Sequence, residues 1–447
     1  MVQVREGRET YLAQFNSLHS DPGTQAPSWL RKIREEAITR FNEAGFPTTR
    51  DEDWKYTNVA PIARARFVPS WECRNGRQPL AGVTASTAKS HGWIELAFVG
   101  GDFAPALSSV PELPPGSRVM SLASALVQEA DLVQPHLARY ADLRENGFVA
   151  LNTAFIRDGA FIYVPEGVTL DATVHILFSA STGDEATVSY PRNLIVLAGG
   201  SRAVVMESYE GPGQGPYFTN AVTEVVLGPG ARLDYYRLQG EGPEAYHVSA
   251  TRVEQGQDSR FTSFYMDLGS RLGRNDLKVS LGAEGGSCSL NGLYLAGDHQ
   301  HIDNHTTVDH QSSFTPSRQL YKGILDGHSR AVFNGKIIAR KGTHQVDANQ
   351  ANKNLLLSED SQVSTKPQLE IFADDLKCTH GATVGQLDEE ALFYLNSRGI
   401  GREAARLFLT YGFAQGVLSQ IESDEVRRLF ESLTQERLQV KTKVFTT

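Results

Sequence analysis

The stretch from Phe148 to Lys377 constrains the fold most. Short β-branched or aromatic runs follow one another there, separated by glycine turns. They include AFIYVPEGVTL (160–170), LIVLAGGSRAVVMES (194–208), VTEVVLGPGARLDYYRL (222–238) and GILDGHSRAVFNGKI (323–337). Two of them share the pattern G-x-S-R-A-V, a weak internal repeat. The turn glycines Gly167, Gly200, Gly230, Gly256 and Gly285 are 33, 30, 26 and 29 residues apart. No long helical period interrupts the region. A β-solenoid explains this spacing best, because each coil buries its apolar side against the next. A β-sandwich is the alternative, but more than 200 residues of near-continuous strand is large for one.

Helical patterns flank this core. Trp29, Ile33, Ala37 and Phe41 recur every four residues and Gly45 ends the run, which predicts an amphipathic helix. Pro47 and the acidic-aromatic stretch around Trp54 and Tyr56 follow as a turn that anchors a loop on the core or offers a binding surface. Ala81–Ser90 reads as a loop, Trp93–Val99 as a strand, Gly100-Gly101-Asp102 as a hairpin turn, and Ser121–Ala141 returns to helical spacing. At the other end Asp388 is a helix N-cap, with Glu389 and Glu390 in the first turn and Gly399 as the stop. Ile400, Ala404, Leu407, Phe408 and Tyr411 form one apolar stripe, and Val426, Leu429, Phe430 and Leu433 a second. Such helices either cap the solenoid's open end or cap it and also dock a partner. The expected division is 1–146 helix-rich, 147–384 β core and 385–447 helical.

Composition excludes several functions. The 447-residue chain carries a formal net charge of −9, which argues against nucleic acid as main partner. Cys73, Cys288 and Cys378 are too few and too scattered for a disulfide framework or a four-cysteine cluster site. No run reaches the roughly 20 apolar residues that span a bilayer, and the first residues lack an apolar signal core, so a cytoplasmic location is expected. There is no GxxxxGK[ST], GxSxG or HExxH motif.

Two constellations remain. His299, His301, His305 and His310 fall in twelve residues among Asp298, Asp303 and Asp309. Imidazole and carboxylate suit iron or zinc, but a hydrogen-bonded polar ladder along stacked coils is the favoured reading. Cys378 and His380 are two positions apart, and so share a face in an extended chain. Two ligands cannot complete a four-coordinate site, so a metal there needs a partner chain or small molecules.

The segments KGTHQVDANQANKNLLLS (341–358), CTHGATVG (378–385) and DEEALFYLNSRGI (388–400) resemble the SufB/SufD family of iron–sulfur cluster assembly proteins. RDEDWKYTNVAPI (50–62) resembles the opening of its SufD members. Asn352 and Gly381 stand where SufB members carry Cys and Glu, which brings the chain nearer to SufD. The resemblance implies a right-handed parallel β-helix and a non-catalytic scaffold subunit. It implies a heterodimer with a SufB-like chain and docking of a SufC-like ATPase on the C-terminal helices, through Ile400, Ala404, Leu407, Phe408 and Tyr411. It places the family's functional histidine on His380, as a candidate ligand to iron or to a cluster shared transiently with the partner. Cys378 matches a family cysteine of weaker assignment. An exposed solenoid edge demands a cap or a partner, and Gln368–Cys378, with Leu369 and Ile371, is the expected edge to SufB. Flavin binding is left open. The competing reading is a carbohydrate-active β-helix enzyme of the pectate-lyase kind, for which the His/Asp stretch would have to line a groove.

Overall fold

The computed structural model describes residues 2–20, 26–73, 90–180, 185–211 and 213–444. Its centre is a parallel β-solenoid of about seven turns. Successive strands alternate between two sheets, so each strand pairs in parallel with the next but one. One sheet has eleven strands and ends on Gln362–Ile371; the other has ten and ends on Asp375–Gly385. The register fixes the coil length: Arg202 pairs with Arg232, Arg232 with Arg260, and Ala348 with Cys378. Equivalent side chains therefore stack in columns about 4.8 Å apart.

Between the sheets lies a continuous apolar core that includes Ile162, Val205, Leu233, Phe261, Leu290 and Phe333. Polar groups interrupt it, each with partners. Glu207 accepts hydrogen bonds from Tyr209, Tyr235 and Thr223. Arg237 lies between the Tyr209 and Tyr265 rings, 5.2 and 5.3 Å from their centroids, and donates to Asn275 at 2.6 Å. Such pairing is what makes buried charge tolerable.

The helices lie along the flanks. Ser28–Ala44 forms the expected helix, and Gly45 stops it with φ 67°. Together with Trp54, Phe67 and Phe148 it packs over the eleven-stranded sheet. Trp54 is buried and stacks on Phe148 at 5.3 Å, while the Arg274 guanidinium sits 3.7 Å above its ring. Tyr56, by contrast, is exposed. Ile94–Val99 is a strand, but buried on both faces, and Gly100-Gly101 turns it into a short antiparallel partner at Asp102–Phe103. Residues 81–89 of the predicted loop lie outside the described residues. In 121–141 the helical spacing resolves into Leu122–Gln128 and the single turn Ala130–Val133.

Two expectations need correction. The stretch opening at Phe148 begins with a helix, Gly147–Ala154, capped by Asn146, whose side chain accepts from the Phe148 and Val149 amides. All eight of its residues are buried, so it carries no amphipathic period to read. The C-terminal helices also do not cap the open end of the solenoid. Val426, Leu429 and Phe430 pack on the outer face of the ten-stranded sheet against Tyr236, Phe264 and Leu293, with the Phe264 and Phe430 rings 5.7 Å apart. Strands buried on both faces need such a cover.

Candidate functional site

The flank helices leave the last coil bare. Gln362–Ile371 is half-buried to exposed and Asp375–Gly385 almost wholly exposed. Among the described residues neither strand has a partner on its outer side. Phe372 is 60% and Val384 48% exposed beside them, and Ile371 is exposed as well. Leu369 is half-buried and packs with Ile337, Val346, Ala348, Leu376 and Cys378 at the end of the core.

Both candidate donors sit on Asp375–Gly385. Cys378 pairs in register with Ala348 and His380 with Gln350. Ala348 and Gln350 are buried, so the two donors follow an inward-facing column out to the point where it opens. Cys378 is half-buried, and burial followed by the nearby Asp347 carboxylate pushes its thiol pKa up. It is a neutral thiol at neutral pH, and thiol ligation requires the thiolate. His380 is exposed. A side chain at Gly381 would meet nothing within 4 Å, so the space beside His380 is open to solvent. Between them Thr379 accepts a hydrogen bond from Asn349 Nδ2 at 2.6 Å. Asn352 lies deeper, buried, donating to Tyr294 Oη at 3.1 Å and accepting from Asn354 at 2.7 Å.

The four clustered histidines do not converge. His301 approaches Thr57 Oγ1 at 2.9 Å. His305 contacts Asp303 at 3.0 Å, and Asp303 pairs with buried Arg274 at 2.5 Å. His310 points to the opposite face, its nitrogens on the Thr315 and Ser317 hydroxyls at 2.8 and 3.0 Å. His299 precedes the strand and stacks on His328 with centroids 5.0 Å apart. Among the described residues no three His, Cys, Asp or Glu side chains form a metal-holding group. Most of this stretch is thus the polar ladder favoured from sequence, and its Asp303 and His305 are committed to Arg274 rather than to a catalytic groove.

The helical stripe is split. Ile400 lies before the helix Arg402–Leu418, whose buried residues are Ala405, Thr410, Ala414, Val417 and Leu418. Ala404 and Phe408 point outward, Phe408 at 59% exposure. Tyr411 is half-buried, its hydroxyl accepting from Gln415 and Gln435. Leu407 lines a cavity of about 110 Å³ with Leu295, Ile324 and Leu357. Periodicity missed Phe393 and Tyr394, 75% and 57% exposed on Glu389–Ser397. Their aromatic character on a helix rich in first-turn acids was the only available signal.

A parallel β-solenoid with helix-covered flanks and a bare last coil defines the fold class of the protein. Comparison with known families identifies it further. Residues 178–413 match the SUF system FeS cluster assembly SufBD core domain, and residues 5–176 match the SufBD N-terminal region. An iron–sulfur cluster assembly SufBD family protein of Synechocystis is 31% identical over 89% of both chains. The iron–sulfur cluster assembly protein SufD of Escherichia coli is 28% identical over 93% of this chain and 94% of its own. Protein ABCI7 of Arabidopsis thaliana, a chloroplast protein, is 28% identical over 92% and 86%. The chain belongs to the SufBD family, and its role lies in iron–sulfur cluster assembly.

Proposed function

We propose that the chain is a non-catalytic scaffold subunit of a cluster-assembly complex. Its last coil pairs edge to edge with a SufB-like chain, with Leu369 and Ile371 in the seam. The outward surface of its C-terminal helices, around Phe408, takes a SufC-like ATPase. Iron or the nascent cluster is the cargo, held transiently between chains, and His380 supplies a ligand from this side. Cys378 contributes less, because its thiol must first lose a proton that burial helps it keep. The division into 1–146, 147–384 and 385–447 and a cytoplasmic location belong to the same reading. Among the described residues no helix is long and apolar enough to cross a membrane.

The observation that carries this reading is the bare last coil. Two neighbouring parallel strands, ten and eleven residues long, end their sheets with no outer partner among the described residues, and such edges pair with another chain or aggregate. The test is co-purification with candidate SufB-like and SufC-like chains, followed by iron and acid-labile sulfide analysis. His380→Ala is expected to leave the complex intact and to lower its iron content at least about tenfold. Cluster formation at the unaltered level in that complex would remove His380 from the chemistry. Should the complex fail to assemble, His380→Gln, which keeps a hydrogen-bonding group, takes its place.

A further inference from the structure

A second site lies beside the eleven-stranded sheet, where Arg330, in the last coil but one, pairs with Gln362 of the last. The register aligns Phe218, Tyr246, Leu272, His301, Arg330 and Gln362 as one column across the eleven-stranded sheet. Its first three members pack against apolar side chains. From Tyr246 and Leu272 through His301 to Arg330, the column and the turns beside it also face the N-terminal segment carrying Tyr56, Asn58 and Pro61 across an open cleft of about 480 Å³.

The lining is one-sided in charge. Arg271, Arg330, His299, His301 and His328 all contribute, and among the described residues no carboxylate does. In a chain of net charge −9 this is a local reversal. Arg271 and Arg330 are exposed, and neither forms an ion pair or side-chain hydrogen bond within the described residues. Most other arginines of the solenoid are committed: Arg274 to Asp303, Arg252 to Glu145 and Arg340 to Asp309. Two acids close to the lining are occupied or peripheral. Asp303 is held behind His301 by Arg274 and Thr57, and Asp360 lies 3.5 Å from His328 at the outer side. The His299 and His328 rings are parallel within 7°, forming a flat wall beside the arginines.

We infer that this cleft binds a small phosphate-bearing anion of the size of a nucleoside diphosphate, with Arg271 and Arg330 on the phosphates and the stacked histidines alongside. Guanidinium groups bind phosphate through paired, charge-assisted hydrogen bonds. Two of them with no side-chain partner among the described residues, on one wall of a cavity in the range of small-molecule sites, hold their donors ready. The histidine rings and Tyr56 offer flat faces to a planar group on the same ligand. None of the residues lining the cleft belongs to the two strands of the last coil, so the inference stands or falls independently of the assembly reading.

The test uses the purified full-length chain alone, titrated calorimetrically with sodium pyrophosphate and, separately, with ADP. Saturable binding of at least one probe is expected. Preference for ADP assigns a role to the ring wall, and equal affinity assigns the binding to the phosphates. Arg271→Ala combined with Arg330→Ala should weaken binding at least about tenfold while circular dichroism stays unchanged, since both residues are exposed. Arg232→Ala, at an exposed arginine on the other sheet, should change nothing. The inference is overturned if neither probe saturates, if the double variant binds as well as the parent, or if Arg232→Ala weakens binding equally.

Discussion

The interior position of His310 predicts how this protein responds to acid. The imidazole lies buried with its two nitrogens on Thr315 and Ser317. Burial, partly offset by the adjacent Asp309 carboxylate, pushes its pKa down to about 4 from 6.5. The folded state therefore resists protonation that the unfolded chain accepts. Stability from this group is complete above the unfolded pKa and is lost as pH falls from 6.5 toward 4, below which nothing more is lost. The difference of about 2.5 units corresponds to about 3 kcal/mol in total, of which about 2 kcal/mol has gone by pH 5. His310→Gln removes the titration and keeps one donor and one acceptor. At pH 7.5 the variant should be less stable by about 1–2 kcal/mol, the worth of an imperfectly replaced buried hydrogen bond. At pH 5 that deficit should shrink by about 2 kcal/mol, leaving the variant equal to the parent or ahead of it. Urea midpoints of both proteins at the two pH values give the double difference. Groups common to both, such as Asp158 with its pKa raised by burial to about 6, cancel. A gap that is the same at both pH values refutes the reasoning.

Two further perturbations probe the surfaces. Phe408→Asp replaces a largely exposed ring and should abolish capture of a SufC-like ATPase at a stability change within about 0.5 kcal/mol; a pull-down with undiminished capture would count against docking there. Leu407→Asp, by contrast, puts a charge into the cavity under the helix and should also lower the melting temperature. Trp54→Ala removes the ring between Phe148 and Arg274 and should cost about 3–5 kcal/mol, read by thermal unfolding; a loss below about 1 kcal/mol would mean that the ring does not pin the N-terminal segment.

The solenoid was legible because its turns repeat chemically even where its sequence does not. SRAV at 201–204 and at 329–332 follows a four-residue turn in both places, Ser201 N donating to Ala198 O at 3.2 Å and Ser329 N to Asp326 O at 3.3 Å. The two copies nevertheless begin strands in different sheets, and the left-handed glycine is third in one turn (Gly200, φ 66°) and second in the other (Gly327, φ 63°). The repeat therefore reports how the chain turns, not which side of the coil it is on. That Cys378 and His380 share a face was readable from their spacing, given the extended chain that Asp375–Gly385 adopts. The fate of the apolar stripe Val426–Leu433 was not, because an amphipathic helix looks the same whether its face meets a sheet, a neighbouring helix or another protein. The cleft around Arg330 was invisible for a different reason. Its residues come from separate coils, and only the register, set by coil lengths of about 30 residues, brings them into one column.

The two ends of the solenoid are built differently, and that difference argues for where a partner belongs. At the start, each sheet closes on a short antiparallel strand: Asp102–Phe103 on one and Arg118–Ser121 on the other. Short edge strands are one way proteins blunt an edge. At the far end the edges are long, parallel and bare, yet not equivalent. Gln362–Ile371 contains Pro367, which has no amide hydrogen to offer, and Lys366, which is tied to Glu52. Proline and lysine are the residues that discourage edge pairing. Asp375–Gly385 has no proline, and its lysine, Lys377, lies near the start of the strand. Of the two edges it is the freer to extend its sheet through the backbone, while Leu369 and Ile371 of the neighbouring strand add side chains to the seam, and it carries Cys378 and His380. A strand added there would run beside His380 along its whole length, so the pairing that completes the sheet would also bring a second chain's side chains to the imidazole.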